Sequence, residues 1–588
     1  MLGINGGKMR LAVTTRRLAL LAFFVLLALA GMTGPASAHA QLEGTDPHAG
    51  DVLATAPALV TLAFGEPVES AADAVQVFDD HLHRADLGAA AHAAGDTSRI
   101  QVRLRGHLHD GTYIVSWHVS SSDTHPVSGT FRFSIGAPSE VTGKVPVTGR
   151  NDSAGLVLGI LRALGYAGLI LAPGALSVLL LLWPAGLLLA RTRRTLYAGL
   201  GLLTVSAVGS MFLEGVWASG QPWSALWVAP SSLDSHSRRF DTLYALRCYS
   251  LVLFGVLLAV TISTRTKAAA RAAAPRRRNA PAARSPVAAG VPPWLPAVAL
   301  GTSAVLLMIT WPLAGHAAAG TQTPLAITVD LLHLAAMAVW LGGLAVLAVS
   351  LPMAAARADL RAVLPRFSRV AFGCVVVLVA SGTYQTWRDV GTLPALYRTT
   401  FGQVLLVKLA AVIGAIALGG LARLWVRRHL RAAGATSDED APVATFRRGL
   451  LAELGVGAGV LAMTAALVVL VPGRQAYIRP FDRTLTAAGL QVAVRIDEPR
   501  AGDTVLHMTA RAQDGNAIPV TSVRGSLWLP AGRIGPLPLR PAGAKGAAAD
   551  GREDIGLSFP RRGRWVVQFT VETSPLDATV FSLTVPVT

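Results

Sequence analysis

The chain has 588 residues, 52% of them hydrophobic and 15% charged, which is too apolar for a soluble protein of this size and long enough for several domains. A net charge of +18 could suit nucleic acid, but the basic residues cluster beside apolar segments, where membrane topology accounts for them; a lipid membrane is expected as a partner and nucleic acid is not. Cys248 and Cys374 both lie inside apolar segments, so exported regions have no disulfide available and must rest on β-sheet cores.

Lys8, Arg10, Arg16 and Arg17 precede the apolar run Leu18 to Ala30, and small residues then lead to Ala36-Ser37-Ala38. This is the pattern of a secretory signal peptide over residues 1–38 with an A-x-A cleavage site. Cleavage after Ala38 would leave His39 first, its α-amine and imidazole forming a chelating pair suited to Cu(II). Residues 39–140 read as a small β-sandwich, with strands at Leu59 to Phe64, Ala74 to Phe78, Ile100 to Leu104, Thr112 to Ser120 and Thr130 to Ile135. Tyr113, Val115, Trp117 and Val119 alternate as in a strand with one buried side.

Asp123 and His125 are two apart, so in an extended segment both could face one way and close a tetragonal N/O site around His39, suited to Cu(II). The same spacing fits a turn aspartate before a surface histidine. His81 and His83 would share a face if their segment were a strand, while His48, His92, His107 and His109 sit among turn-like residues. A second metal site and solvated loop histidines both remain open for these residues.

Eight apolar spans follow within residues 155–471, at about 155–182, 196–218, 241–263, 294–313, 325–350, 366–386, 402–425 and 446–471, each near the ~20 residues a bilayer needs. Arg191, Arg193 and Arg194, the Arg265 to Arg284 cluster, Arg357 to Arg366 and Arg427 to Arg448 occupy every second loop, which the positive-inside rule places in the cytoplasm. Both ends of the mature chain then lie outside a cell membrane crossed many times, and residues 265–291 form a flexible cytoplasmic linker. In the fifth span Asp330, His333, Met337 and Trp340 fall on one helix face, with Asp330 and His333 in the outer half. Such a pair reads as functional, or as a polar contact joining helices. Met211 and Glu214, Cys248, Met308 and His316 also fall toward the outer side, where thioether, thiol and imidazole would suit Cu(I), although methionine also serves as core filler.

Past residue 471 alternation returns at Gln491 to Ile496, Val505 to Ala510, Gly525 to Leu529, Trp565 to Glu572 and Val580 to Val585, so residues 485–588 read as a second exported β-sandwich of unknown role. His507 and Met508 are adjacent and would point to opposite faces of a strand, which argues against a joint metal site.

The His39-Ala40 start, Thr45-Asp46-Pro47, Val60 to Phe64 and the run Asp123-Thr124-His125-Pro126-Val127-Ser128-Gly129 resemble CopC, an exported copper-binding β-sandwich, over most of residues 39–137. The resemblance implies His39, Asp123 and His125 as Cu(II) ligands; Thr124 stands where a glycine is common. No Met or Cys occurs between His39 and Ser210, so the Met-rich Cu(I) site of some CopC proteins has no counterpart. Asp330 to Leu334, Val339 to Leu344, Phe367-Ser368-Arg369 and Phe401 to Lys408 resemble CopD, the membrane partner of CopC, and firmly so over spans five to seven. An Asn-Arg pair common late in that family is not evident around Gly420 to Arg423. The whole chain looks like a CopC–CopD fusion.

The resemblance implies copper uptake or resistance, with Cu(II) in the first domain, Cu(I) a candidate in the membrane, and other copper-handling proteins as candidate partners. No G-x-x-x-x-G-K-[ST] phosphate loop is present, so transport would be passive, gradient-coupled or partner-dependent. An enzyme is not expected. A copper-dependent oxidase built on the N-terminal histidine would need a catalytic base near the ligands, and a haem-bearing redox protein would need facing membrane histidines, for which only His316 and His333 are candidates.

Overall fold

The computed structural model describes residues 42–587 apart from 70–72, 122–125, 140, 142–151, 220–222, 225–237, 274–294, 319–321, 353, 433–439, 533, 542–550, 561 and 575. Alternating apolar residues first build two sheets. One has the order β1 (Leu42–Asp46), β3 (Leu59–Phe64), β7 (Asp96–Leu104), β6 (Asp86–Ala93). The other runs β2 (Val52–Leu53), β9 (Pro126–Ile135), β8 (Gly111–Ser121), β4 (Val68–Glu69), with β5 (Val75–Phe78) also paired to β8. The sheets close over Val60, Leu62, Ile100, Tyr113, Val115 and Phe133, each removed from water at about 1.5–3 kcal/mol per large apolar side chain. Trp117 meets Phe64 edge-on at 5.4 Å and lies across from Gly129, where any Cβ would run into the indole ring.

Strand β8 departs from the alternation predicted for it. Tyr113, Val115, Trp117 and Val119 are buried as expected, but so are Thr112, Ile114, Ser116 and His118 between them. On the second face Thr112 is bonded to Ser134 and Ser139, and helix α3 (Ala190–Ser219) comes against β8 and β9.

Among the described residues, eight helices are long and apolar enough to cross a membrane, one for each predicted span. The first is interrupted: α1 (Asp152–Leu169) passes through a π turn, Ile170–Gly174, into α2 (Ala175–Leu182). Pro173 has no N–H to give to the helix ladder, and the wider turn absorbs that defect. The turn is also where helices cross most closely. A Cβ on Gly174 would collide with the Ala338 carbonyl of α6 (Thr323–Ser350), and one on Gly342 of α6 would lie 2.6 Å from the Ile170 carbonyl. Glycine at these two positions lets the backbones touch.

The remaining spans are α4 (Arg238–Ala273), α5 (Leu295–Leu313), α7 (Ala354–Val390), α8 (Thr400–Ala432) and α9 (Asp440–Val469). Val252, Val256, Val260, Phe372, Val407 and Ile413 form an exposed apolar exterior, as lipid requires. Gly155 at the start of α1 lies against Trp217 at the end of α3 and Val469 at the end of α9, so both β regions leave the bundle from one end.

After α9 the chain forms β10 (Phe481–Ala487), β11 (Leu490–Ile496), β12 (Gly502–Ala512), β13 (Ser522–Leu529), β14 (Ile534–Pro538), β15 (Arg540–Pro541), β16 (Arg552–Phe559), β17 (Gly563–Ser574) and β18 (Asp577–Val587). Two sheets, β10-β11-β12-β16-β15 and β14-β13-β17-β18, enclose one core that includes Val492, Leu506, Phe559, Trp565 and Phe569.

Candidate functional site

His39, Asp123 and His125, the N-terminal Cu(II) set, lie outside the described residues. What is described is the frame around two of them. Strands β8 and β9 pair in register through Val119↔Val127 and Ser120↔Pro126, and Asp123 and His125 fall in the chain between them. Of the other histidines, His92 points Nε2 at the Val68 carbonyl at 2.8 Å. His81 and His83 stand on a turn rather than a strand: Leu82 between them has φ 65°, and the Leu82 N–H donates to the Asp79 carbonyl at 3.0 Å.

Within the bundle Asp330 and His333 are one helical turn apart on α6 and face α7. The Gln385 side-chain amide donates to Asp330 Oδ1 at 2.8 Å, and His333 Nδ1 lies 2.8 Å from Ser381 Oγ. Ser381 and Gln385 are four apart, so two rungs of polar contact join the helices. The tautomer follows from counting protons. The Ser381 hydroxyl gives its one hydrogen to the Val377 carbonyl at 2.6 Å, so its oxygen accepts from Nδ1–H of His333. That leaves Nε2 with a lone pair, the form in which imidazole binds a metal.

Fixed charges surround this pair. Lys408 of α8 acts electrostatically on both Asp330 and His333, and Asp389 and Arg388 of α7 act on Asp330. Arg388 also donates to the carbonyl of His316 at 2.9 Å, tying the end of α7 to the turn His316–Ala318 that follows α5. Arg474, beyond α9, donates to the Trp387 carbonyl at 3.2 Å. The ends of α5, α7 and α9 and the start of α6 therefore gather at the end of the bundle from which both β regions leave. Asp330 and His333 lie in the nearer half. Farther along the same face, past Met337, the buried Glu453 of α9 accepts a hydrogen bond from Trp340.

Of the other predicted membrane residues, Glu214, Met308, Cys248 and Met211 have other surroundings. Glu214 is held by Arg162 at 3.2 Å and by the Tyr244 hydroxyl at 3.0 Å. Arg247 completes that second network, donating to Thr310 Oγ1 and to the Thr310 carbonyl, both at 2.9 Å, with its guanidinium 4.1 Å from the Trp311 ring centre. Met308 is packed in the core and Cys248 rests half-buried against it. Met211 is 44% exposed beside Phe212 and Val208, on the apolar exterior rather than on an interior route; depth in the span had suggested it, but its helix face decides. Ser381, Gln385, Lys408, Arg162, Arg247 and Glu453 went unassigned from the sequence, though each is a polar or charged residue inside an apolar span, the signal that marks such sites.

Residues 42–136 match the family model of the CopC domain, and residues 361–467 match that of Copper resistance protein D. Copper transport protein CutJ of Bacillus subtilis (strain 168) is 26% identical over 509 residues, covering 85% of this chain and 86% of its own. Copper resistance protein C of Pseudomonas syringae pv. tomato is 34% identical over 119 residues, covering 19% of this chain and 94% of its own. The crystal structure of CopC from Methylosinus trichosporium OB3b has 31% identity, covering 17% of this chain and 97% of that one, with a TM-score of 0.16. The second family model lies on α7 to α9, whereas the sequence resemblance was firmest over spans five to seven.

Proposed function

We propose, from a CopC domain and a Copper resistance protein D domain carried in one chain, that this is a CopC–CopD-type copper protein whose N-terminal sandwich captures Cu(II) and passes copper to the helix bundle, which moves it into or across the cell membrane. His39 supplies amine and imidazole once residues 1–38 are removed, and Asp123 and His125 complete an N/O set of the kind Cu(II) prefers. Because donor and acceptor share one chain, transfer replaces a bimolecular encounter with a local one.

The observation that carries the membrane half is the contact of His333 Nδ1 with Ser381 Oγ at 2.8 Å. An imidazole whose Nδ1–H is committed to Ser381 presents Nε2 as a ligand, with the Asp330 carboxylate one turn away and the Met337 thioether one turn beyond. Imidazole, carboxylate and thioether together can hold copper in either oxidation state. Placement in the half of the bundle nearest the sandwiches fits receipt of cargo from them. The similarity over 85% of the chain to a protein named for copper transport favours movement of the ion over turnover of a substrate.

The test pairs two measurements, membrane abundance and cellular copper content, for His333→Ala and Asp330→Asn against the parent. A copper route predicts normal abundance with the copper difference abolished. A polar contact that merely joins helices predicts reduced abundance, because the remaining partner is left unsatisfied in a low-dielectric setting. Normal abundance with an unchanged copper difference refutes the proposal.

A further inference from the structure

A second group of metal-binding side chains is gathered at the other end of β8 from Asp123 and His125. The chain turns sharply after β5. Asp79 Oδ1 accepts the backbone N–H groups of His81 at 3.0 Å and His83 at 2.8 Å, and the Asp79 N–H donates to the His83 carbonyl at 3.0 Å. The turn is closed at its base by pairing of Phe78 with Arg84, whose guanidinium grips Asp86 through two bonds of 2.7 and 2.6 Å. The loop is thereby fixed by its own backbone, and Asp79 Oδ2 is directed at His83 Nδ1, 3.4 Å away.

Two further segments bring ligands to this turn. From the loop before β8, His109 sets Nε2 3.3 Å from Asp80 Oδ1, and its backbone carbonyl is held by the Tyr113 hydroxyl at 2.8 Å. From the segment after β9, Ser139 Oγ donates to Asp80 Oδ2 at 2.6 Å while Ser139 itself is locked to Thr112. His81 Nε2 lies 3.9 Å from Asp80 Oδ1. Asp80 is thus a buried carboxylate positioned by a hydroxyl on one oxygen and facing imidazoles with the other. The Ser139 hydroxyl is the main reason that its carboxyl is held below the usual range, so it is ionised at neutral pH. Burial, and then the negative charges of Asp79 and Asp80, push the neighbouring Tyr113 phenol up to about 12.

One ligand atom each from Asp79, Asp80 and His109 can be chosen so that all three lie within 4.8 Å of one another. Four ligands about 2.0–2.1 Å from a tetrahedral ion stand roughly 3.4 Å apart, so closure needs an adjustment on the order of 1 Å, which the half-exposed His109 can make by side-chain rotation. His81 Nε2, 3.9 Å from Asp80 Oδ1, and His83 Nδ1, 3.4 Å from Asp79 Oδ2, stand beside these three. We infer that Asp79, Asp80 and His109, completed by His81 or His83, form a second divalent-metal site in the N-terminal sandwich, for a borderline ion such as Zn(II) or Cu(II). Two carboxylates and two imidazoles neutralise such an ion, and a donor set without sulfur does not select Cu(I). The site is separate from the N-terminal set: β8 spans Gly111 to Ser121, about 33 Å at ~3.3 Å per residue, with this cluster at its start and Asp123 beyond its end.

The test uses the purified full-length protein in detergent at pH 7.5, titrated with Zn(II) and separately with Cu(II) against a chromophoric chelator. The variants are His125→Ala, His109→Ala, both together, and His48→Ala as an exposed control. Comparing the double variant with His125→Ala reads the second site whatever His125 does. The expected result is that His109→Ala removes one bound Zn(II) per chain or weakens it at least tenfold, in both backgrounds, and that His48→Ala changes nothing. His109→Ala keeps the backbone carbonyl that Tyr113 uses, so a folded sandwich is retained. Asp79→Asn should reproduce the loss. Equal stoichiometry and affinity in His109→Ala and parent, or an equal loss in His48→Ala, overturns the inference.

Discussion

At the level of single residues, the chemistry depends on which atom carries a proton. His39 can offer an amine only when its nitrogen is a chain terminus. A protein processed with one extra residue ahead of His39 should therefore lose Cu(II) affinity by at least the ~10–100-fold that outer partners of metal ligands control, and Asp123→Ala or His125→Ala should each do the same. Competition against a Cu(II) chelator measures this, and unchanged affinity in the extended protein removes His39 from the site. In the bundle, Ser381→Ala takes away the acceptor that fixes the His333 tautomer. The copper concentration giving half-maximal accumulation should rise about 10- to 100-fold at unchanged membrane abundance. A shift no larger than that of Thr383→Ala, whose hydroxyl bonds its own helix at Val379, would show that the tautomer does not matter.

At the level of helices and strands, the packing around Pro173 yields a sharper expectation than the helix lengths do. Gly342→Ala places a methyl against the Ile170 carbonyl and the Ala175 nitrogen and should destabilise the bundle by about 1–3 kcal/mol. Gly301→Ala, in an open stretch of α5 with nothing within 4 Å of its Cβ, should instead gain up to about 1 kcal/mol from helix propensity. Thermal unfolding of the two variants in detergent checks the opposite signs, and equal shifts would remove the close crossing from consideration. The eight spans were legible because hydropathy sums over some twenty residues, and the strands because alternation repeats. Burial on both faces of β8 was not, since Ser139 and α3, which come against it, are distant in sequence. The partners of Asp330 and His333 were hidden for the same reason: Gln385 and Ser381 sit about fifty residues away, and only the register of α6 against α7 selects them. Met211 shows the converse error, a residue placed at a suitable depth but on the wrong side of its helix. His39, Asp123 and His125 rest on sequence and resemblance alone, since they lie outside the described residues.

At the level of the whole molecule, the proposed handover of copper within one chain predicts a dependence on the linker. Inserting thirty Gly/Ser residues after Val141 should slow copper accumulation several-fold without abolishing it, because effective concentration falls roughly as the −3/2 power of linker length. An unchanged rate would mean that transfer from the sandwich does not limit uptake. The meeting of Gly155, Trp217 and Val469 has a consequence for the surroundings of the protein as well as for its shape. With the eight helices crossing a bilayer as proposed, both sandwiches would stand on one side of it, so a protease that cannot cross lipid should strip the two together or spare both. They also share a single solution, and because Cys248 and Cys374 belong to α4 and α7, neither sandwich contains a thiol. The oxidant content of that solution, which governs whether a disulfide-built domain can mature, has no purchase on either.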